Sequence, residues 1–241
     1  MKLCILENDI LEGELAQSYS GFAALFERLF EEVGAHHWTL STFNTMRGEY
    51  PESFDAYDAV LLTGSRADSF SQEPWVLRLR ACVESLLQTD KKLLGVCFGH
   101  QLIGLCLGAP VGRAPQGWGA GRMTYDWHGT HLPHAPQATA SAGTAQINLL
   151  ASHQDQVFEL PPGATLLASN AFCPVAAYAV DDRVFCIQPH PEFVTGISAY
   201  LINKRKDLLG AEKHANSLAS LADGHDGLDV ARMMVAFVEG R

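Results

Sequence analysis

Positive charge is scarce in this sequence. Lys and Arg number 17 against 27 Asp and Glu, for a formal charge of −10. A protein that grips a phosphate backbone needs a basic face, so nucleic acid is not an expected partner. A small anionic ligand stays open, because one site can be locally positive on an acidic protein. No run of about 18 apolar residues occurs, so no membrane span or membrane partner is expected. There is no Cys-x-x-Cys pair and no Cys/His spacing of the zinc type, so no metal is expected. Five of the six cysteines (Cys4, Cys82, Cys97, Cys106, Cys173 and Cys186) sit in apolar runs. They read as free thiols of a reducing compartment. The first residues, MKLCILEND, turn acidic too soon for a signal peptide, and the expected location is the cytoplasm. No repeat and no linker-like stretch interrupts the chain, so residues 1–241 read as one domain.

What is present is a sizeable supply of core. Hydrophobic residues make up 47% of the chain and charged ones 18%. KLCIL (2–6) reads as a buried strand, followed by an acidic loop. Phe22, Leu25, Phe26, Leu29, Phe30 and Val33 share one helical face, with Gly34 placed to end that helix. A second strand is expected over 37–43. AVLLTG (59–64) is continuously apolar, as in a strand buried on both faces of a parallel sheet. Pro74 opens a periodic helix that runs to Leu87. LLGV (93–96) is the next strand, and HQLIGLCLG follows as a helix ending at Gly108. This β-α alternation predicts an α/β fold with an open, mostly parallel, twisted sheet flanked by helices. After Pro110 the texture changes. Short antiparallel pieces are expected, with a loose loop around 128–144. Strands are expected at INLLAS, LLASN, VAAYAV and VFCIQP, with turns at 161–163 and 181–183. Residues 193–206 read as a helix, 210–226 as a polar loop, and LDVARMMVAFVEG as a closing amphipathic helix.

One corner stands out, GVCFGHQ at 95–101. Cys97 ends an apolar strand between Gly95 and Gly99, and a helix follows at once. Such a turn projects a side chain from the sheet's edge, and small neighbours let the chains approach. The next N–H points toward an oxyanion, at a helix N-terminus whose partial positive charge favours thiolate. A cysteine in an apolar run is more often a packed core residue. The corner alone leaves both readings of Cys97 open. A thiolate also needs a base. Of the ten histidines, most lie in polar stretches. His190 instead follows the strand VFCIQ, between Pro189 and Pro191, with Glu192 two residues on. The prolines restrict the backbone, and an acid so placed can hold the second ring nitrogen. Cys97, His190 and Glu192 thus make a candidate nucleophile, base and orienting acid.

At this point the chain resembles a family, the triad-type class I glutamine amidotransferases. GVCFGHQ is similar to their G-x-C-x-G-x-Q elbow, and QPHPEF to their H-P-E segment. LLTGSRAD (61–68) resembles the oxyanion strand and loop. ASHQDQVFELPPGATLLASN (151–170) resembles the S-H-x-D-x-V segment of GMP-synthase-like members. The four matches fall in the family's order and span nearly the whole chain. The resemblance implies a flavodoxin-like fold with a smaller antiparallel portion. It implies that Cys97 attacks a glutamine side-chain amide to form a γ-glutamyl thioester, with His190 moving the proton and Glu192 orienting His190. The N–H of Phe98 and one from the Gly64–Ser65 turn would hold the oxyanion. Gln101 would reach back to the substrate, and His153, Gln154 and Asp155 would cradle its amino-acid end, Asp155 having a helix N-cap as its other reading. His100 is read as structural. No metal or organic cofactor is required.

Two departures qualify the resemblance. Many members carry Gly-Gly-Pro at the oxyanion turn, where this chain has Gly64-Ser65-Arg66, so the loop is expected to sit differently or to move. The 241 residues also contain no Gly-rich phosphate loop of a synthetase, so this chain alone is not expected to make GMP. Three readings follow. The chain is a glutaminase that turns glutamine into glutamate and supplies ammonia to a separate synthetase or acceptor subunit. Or it hydrolyses other γ-glutamyl compounds, as the likeness of HQDQVFELPPGA and the C-terminal region to plant γ-glutamyl peptidases suggests. Or it is a silent binding module, against which the intact Cys97, His190 and Glu192 argue. The stretch 113–146 is a candidate lining for the opening that a peptide leaving group would need.

Overall fold

A computed structural model describes residues 1–129, 133–137 and 145–241. The strands are β1 (Lys2–Glu7), β2 (Thr39–Asn44), β3 (Ala59–Leu62), β4 (Lys92–Val96), β5 (Val111–Arg113), β6 (Gly119–Trp127), β7 (Ala145–His153), β8 (Asp155–Val157), β9 (Thr165–Ser169), β10 (Ala177–Val180) and β11 (Val184–Ile187). The helices are α1 (Glu14–Ser18), α2 (Phe22–Glu32), α3 (Pro74–Leu86), α4 (Phe98–Cys106), α5 (Thr195–Lys204), α6 (Lys206–Leu209), α7 (Ala211–Ala219) and α8 (Gly227–Glu239).

Among the described residues, nine strands form one sheet in the order β2-β1-β3-β4-β11-β10-β9-β6-β7, and β5 pairs with β8 in a second, small sheet. The β2-β1-β3-β4-β11 half is parallel throughout. From β11 outward every pairing is antiparallel. The α/β class and flanking helices are as predicted. The antiparallel portion is larger than expected, because it continues the main sheet.

The parallel strands are buried on both faces, and their side chains alternate between two cores. Leu3, Ile5, Leu61 and Leu94 face α2 and α8, where they meet Phe26, Phe30, Met234 and Phe237. Cys4, Leu6, Val60 and Leu93 face α3 and α4, where they meet Val76, Leu79, Leu102 and Ile103. Fully burying one such side chain contributes about 1.5–3 kcal/mol, which is why continuous apolar runs are required here. A third cluster, including Leu15, Leu150, Phe193 and Ile197, lies beneath α5 to α7.

Several expectations change. Residues 210–226 are not a polar loop. They hold α7 and a 3₁₀ turn, Ser220–Asp223. Alanine-rich composition favours a helix there, and it docks through polar contacts as well as through Leu218 and Leu221. Ser217 Oγ donates to Ala120 O at 3.2 Å, and Ser220 Oγ accepts the Arg122 N–H at 2.9 Å. The segment after β1 contains the short helix α1, and the helix expected over 193–206 is split into α5 and α6. The antiparallel pieces expected over 113–146 include β6, nine residues long and paired along its length with β7. The loop expected around 128–144 lies largely outside the described residues. The turns at 161–163 and 181–183 form as expected, with Gly163 at φ 77° and Asp181 at φ 48°. Among the described residues, no helix is long and apolar enough to cross a membrane.

Candidate active site

In an open parallel sheet the ligand crevice lies beyond the carboxyl ends of the strands. Asn8 and Asp9 follow β1, Gly64 follows β3, Cys97 follows β4, and His190 follows β11 closely. The topology therefore gathers residues from four distant parts of the chain at one end of the sheet.

Cys97 sits at the corner between β4 and α4 with φ 52° and ψ −104°. It is one of three described non-glycine residues with positive φ. A β-carbon in that region is disfavoured by roughly 1–3 kcal/mol, so the surroundings must hold it. Its N–H donates to Ile187 O at 2.9 Å, and its own carbonyl accepts the Gln101 N–H at 3.0 Å. Gly99 allows the close packing that the corner needs. A Cβ there would fall on the Leu62 carbonyl oxygen and 2.7 Å from Leu62 Cβ. Cys97 is 5% exposed at the N-terminus of α4, where the helix field favours an anion.

His190 is held on three sides. Its N–H donates to Leu150 O at 2.8 Å, its ring stacks on Phe193 at 3.8 Å, and its Nδ1 lies 2.7 Å from Glu192 Oε1. That leaves Nε2 for the thiol. Burial by itself would lower the His190 pKa. The charges of Glu192 and Cys97, with hydrogen bonds to both, outweigh burial and push it up to about 10. Gly64 leaves room for this ring, since a Cβ there would stand 2.8 Å from His190 Cε1. The three residues predicted as nucleophile, base and acid are thus brought together at one end of the sheet.

The oxyanion candidates are also close by. Phe98 is the first residue of α4, so its N–H has no intrahelical acceptor. Among the described residues, no backbone acceptor takes the N–H of Gly64 or Ser65. Ser65 is not among the positive-φ residues, so this turn does not need glycine there. Arg66, at the position of the family's proline, anchors the loop differently. Its N–H donates to Asp9 Oδ2 at 2.8 Å, and its guanidinium pairs with Asp9 and with Glu12. Asp9 and Arg66 carried no recognisable signal in the sequence.

On the far side lie the predicted recognition residues. Asp155 opens β8, so it is a strand residue and not a helix N-cap. Its Oδ1 pairs with Arg113 Nε at 3.1 Å, and the same guanidinium holds Asp68 at 3.0 Å. Burial and the neighbouring Asp68 push the Asp155 pKa up to about 6, against the opposing pull of Arg113. His153 is buried, edge-on to Phe172, and its Nδ1 lies 3.3 Å from Asp155 O. Burial first, and the charge of His190 second, drop its pKa to about 3, so it stays neutral. Gln101 spends its side-chain donors on Asp155 O at 2.8 Å and Gln188 Oε1 at 3.0 Å. Only its oxygen is left for a substrate. Gln154 borders the cleft, and its carbonyl accepts the Ala114 N–H. His100 is buried against Tyr178 at 4.9 Å, and burial lowers its pKa to about 3.

The cleft has two lobes with Cys97 at the waist. The polar lobe, about 40 Å³, is bordered by Gln101, His153, Gln154 and Asp155. The second lobe, about 290 Å³, is walled by apolar groups including Ile10, Leu11, Phe22, Phe193 and Leu201. Among the described residues, no group of three or more His, Cys, Asp or Glu could hold a metal ion.

Comparison with known proteins bears on the family and the fold. The family described as Glutamine amidotransferase class-I matches residues 16–206. Gamma-glutamyl peptidase 3 of Arabidopsis thaliana is 34% identical over 179 residues, covering 73% of this chain and 71% of that protein. The glutamine-hydrolyzing GMP synthase of Bordetella parapertussis is 32% identical over 157 residues, 64% of this chain but 29% of that one. Among solved structures, a glutamine amidotransferase from Thermotoga maritima superposes with a TM-score of 0.77 at 20% identity, covering 99% and 98% of the two chains. That last likeness speaks to the fold alone.

Proposed function

The chain belongs to the class I glutamine amidotransferase family, and on that premise we propose that it hydrolyses a γ-glutamyl amide through a thioester on Cys97. The observation that carries this reading is Cys97 at positive φ beside His190, whose Nδ1 is held 2.7 Å from Glu192. The Cys97 thiolate attacks the amide carbonyl carbon. Negative charge builds on the carbonyl oxygen, which the Phe98 N–H and the Gly64–Ser65 turn receive; such donors are worth about 3 kcal/mol each. The tetrahedral species collapses, the C–N bond breaks, and the His190 proton leaves with the amine. Water then gives a proton to His190 and attacks the thioester. The C–S bond breaks, and glutamate departs.

Glutamine is the smallest such substrate. Its ammonia would serve a separate synthetase, and the matched GMP synthase, itself glutamine-hydrolyzing, is consistent with that use. A second reading, hydrolysis of γ-glutamyl peptides or conjugates, is favoured by the apolar lobe past the thiol, which ammonia does not need. The peptidase relative supports it. We read residues 1–241 as one domain acting in the cytoplasm, supported by the single main sheet and by six free cysteines. The chemistry needs no cofactor.

The test is a panel of glutamine and γ-glutamyl dipeptides, with ammonia, amine and glutamate all measured. Cys97→Ser should lower hydrolysis at least about 10³-fold while the protein stays folded. Undiminished hydrolysis by that variant would sink the nucleophile assignment. Turnover of glutamine but of no dipeptide would sink the second reading.

A further inference from the structure

Two arginines, Arg66 and Arg205, line the cleft, a third, Arg113, holds its Asp155 from behind, and two of the three are spoken for. Arg66 is bound by Asp9 and Glu12, and Arg113 by Asp68 and Asp155. Arg205, between α5 and α6, borders both lobes, as Cys97 does. Among the described residues, no carboxylate lies within ion-pair distance of it. Its guanidinium lies 4.5 Å over the Trp118 ring. Its Nη1 donates to Ser152 Oγ at 3.2 Å and to Leu201 O at 3.4 Å. No hydrogen bond among the described residues engages Nε or Nη2, the edge of the fork that matches a carboxylate. Burial lowers its pKa, and the charges of Cys97 and Asp9 oppose that. Neither nitrogen is among the fully buried unpartnered atoms, so this edge of a half-buried guanidinium faces the open cleft, where an anion can reach it.

The substrate supplies one. With the scissile carbonyl at Cys97 and the γ-glutamyl stem in the polar lobe, the α-carbon lies three carbons from the thiol's target. That carbon bears an ammonium and a carboxylate. The Asp68–Asp155 pair is suited to the ammonium. We propose that Arg205 is the specificity residue that binds the α-carboxylate of the γ-glutamyl group. This rests on the γ-glutamyl reading above. The stacked Trp118 fixes the plane of the fork, and the Ser152 hydroxyl fixes its rotation. The enzyme thereby demands an amino acid on the acyl side whatever the leaving group is.

The test compares γ-glutamyl-p-nitroanilide with 4-aminobutyryl-p-nitroanilide, which lacks only the α-carboxylate. Wild type should favour the first by about 100-fold in kcat/KM. Arg205→Gln should erase most of that preference, mainly through KM, and Arg205→Lys should restore part of it, since it keeps the charge without the fork. In parallel, calorimetric titration of folded Cys97→Ala protein with L-glutamate and with 4-aminobutyrate reads binding without turnover. Glutamate should bind at least about tenfold tighter than 4-aminobutyrate, and adding Arg205→Gln should remove the difference. A preference that survives Arg205→Gln in both assays, or a loss equal for both compounds, overturns the proposal. Carboxylate-dependent glutamate binding without any hydrolysis would instead overturn the γ-glutamyl hydrolase reading and leave Arg205 as the carboxylate anchor.

Discussion

The two halves of the main sheet are built differently and contribute differently. The parallel half, β2-β1-β3-β4-β11, is sandwiched between two helical layers. It carries Cys97 and Gly64 at its strand ends, with His190 just past β11. The antiparallel half leads to His153, Gln154 and Asp155 at the end of β7 and the start of β8, with Trp118 just before β6. The rigid, doubly covered half holds groups proposed to make and break bonds. The other half holds His153 and leads to Gln154 and Asp155, proposed to recognise, while Gln101 and Arg205 reach in from α4 and from between α5 and α6. Bond-making geometry tolerates little displacement, so it belongs where packing leaves the least freedom. Recognition can be rebuilt on strands and turns without disturbing that core.

Four substitutions probe this division, from large to small. Glu192→Gln should lower kcat about 10²–10⁴-fold, because the imidazole loses the charge that orients and stabilises it. The sign of the accompanying pH effect is fixed. Glu192 helps raise the His190 pKa to about 10, so its loss should move the alkaline limb of the kcat/KM profile to lower pH. Gly99→Ala attacks the same half through packing. It should destabilise the fold by about 3 kcal/mol, read by denaturant unfolding, since the Leu62 backbone cannot retreat from the new methyl group. Asp155→Asn tests the other half. It should raise KM about tenfold with kcat little changed. Because Asp155 ionises only above about 6, wild-type KM should fall as pH rises through that value, and the variant should lose this dependence. A kcat effect from Asp155→Asn as large as that from Glu192→Gln would erase the division. Ser220→Ala, at the seam of α7 and β6, should cost about 1 kcal/mol of stability and leave kinetics unchanged.

The parallel half was also the easier half to read from sequence. Each of its central strands is a short apolar run, each helix shows a 3.6-residue stripe, and glycines punctuate both. Cys97, His190 and Glu192 could be picked out because unusual neighbours flank them: two glycines around the first, two prolines around the second. The antiparallel half gives weaker signals. α7 is hard to see in the sequence because it buries little beyond Ser217 and so shows no long apolar stripe. β8 leaves no trace in the sequence because three residues are too few to show a period. Arg205 and Arg66 look like ordinary surface cations in one dimension. Only the tally of which arginines already have carboxylates separates them, and that tally requires coordinates.

The corner at Cys97 also sets chemistry and folding at odds. Its backbone occupies a conformation that a side chain resists by roughly 1–3 kcal/mol and that glycine adopts freely. Glycine's greater freedom in the unfolded chain takes back about 0.5–1 kcal/mol of that. Cys97→Gly would relieve that strain but give up the packing of a side chain only 5% exposed, so stability should change little while the thiol is lost. Selection for durability alone would have no reason to prefer this residue to glycine. Its presence records a demand that folding did not make.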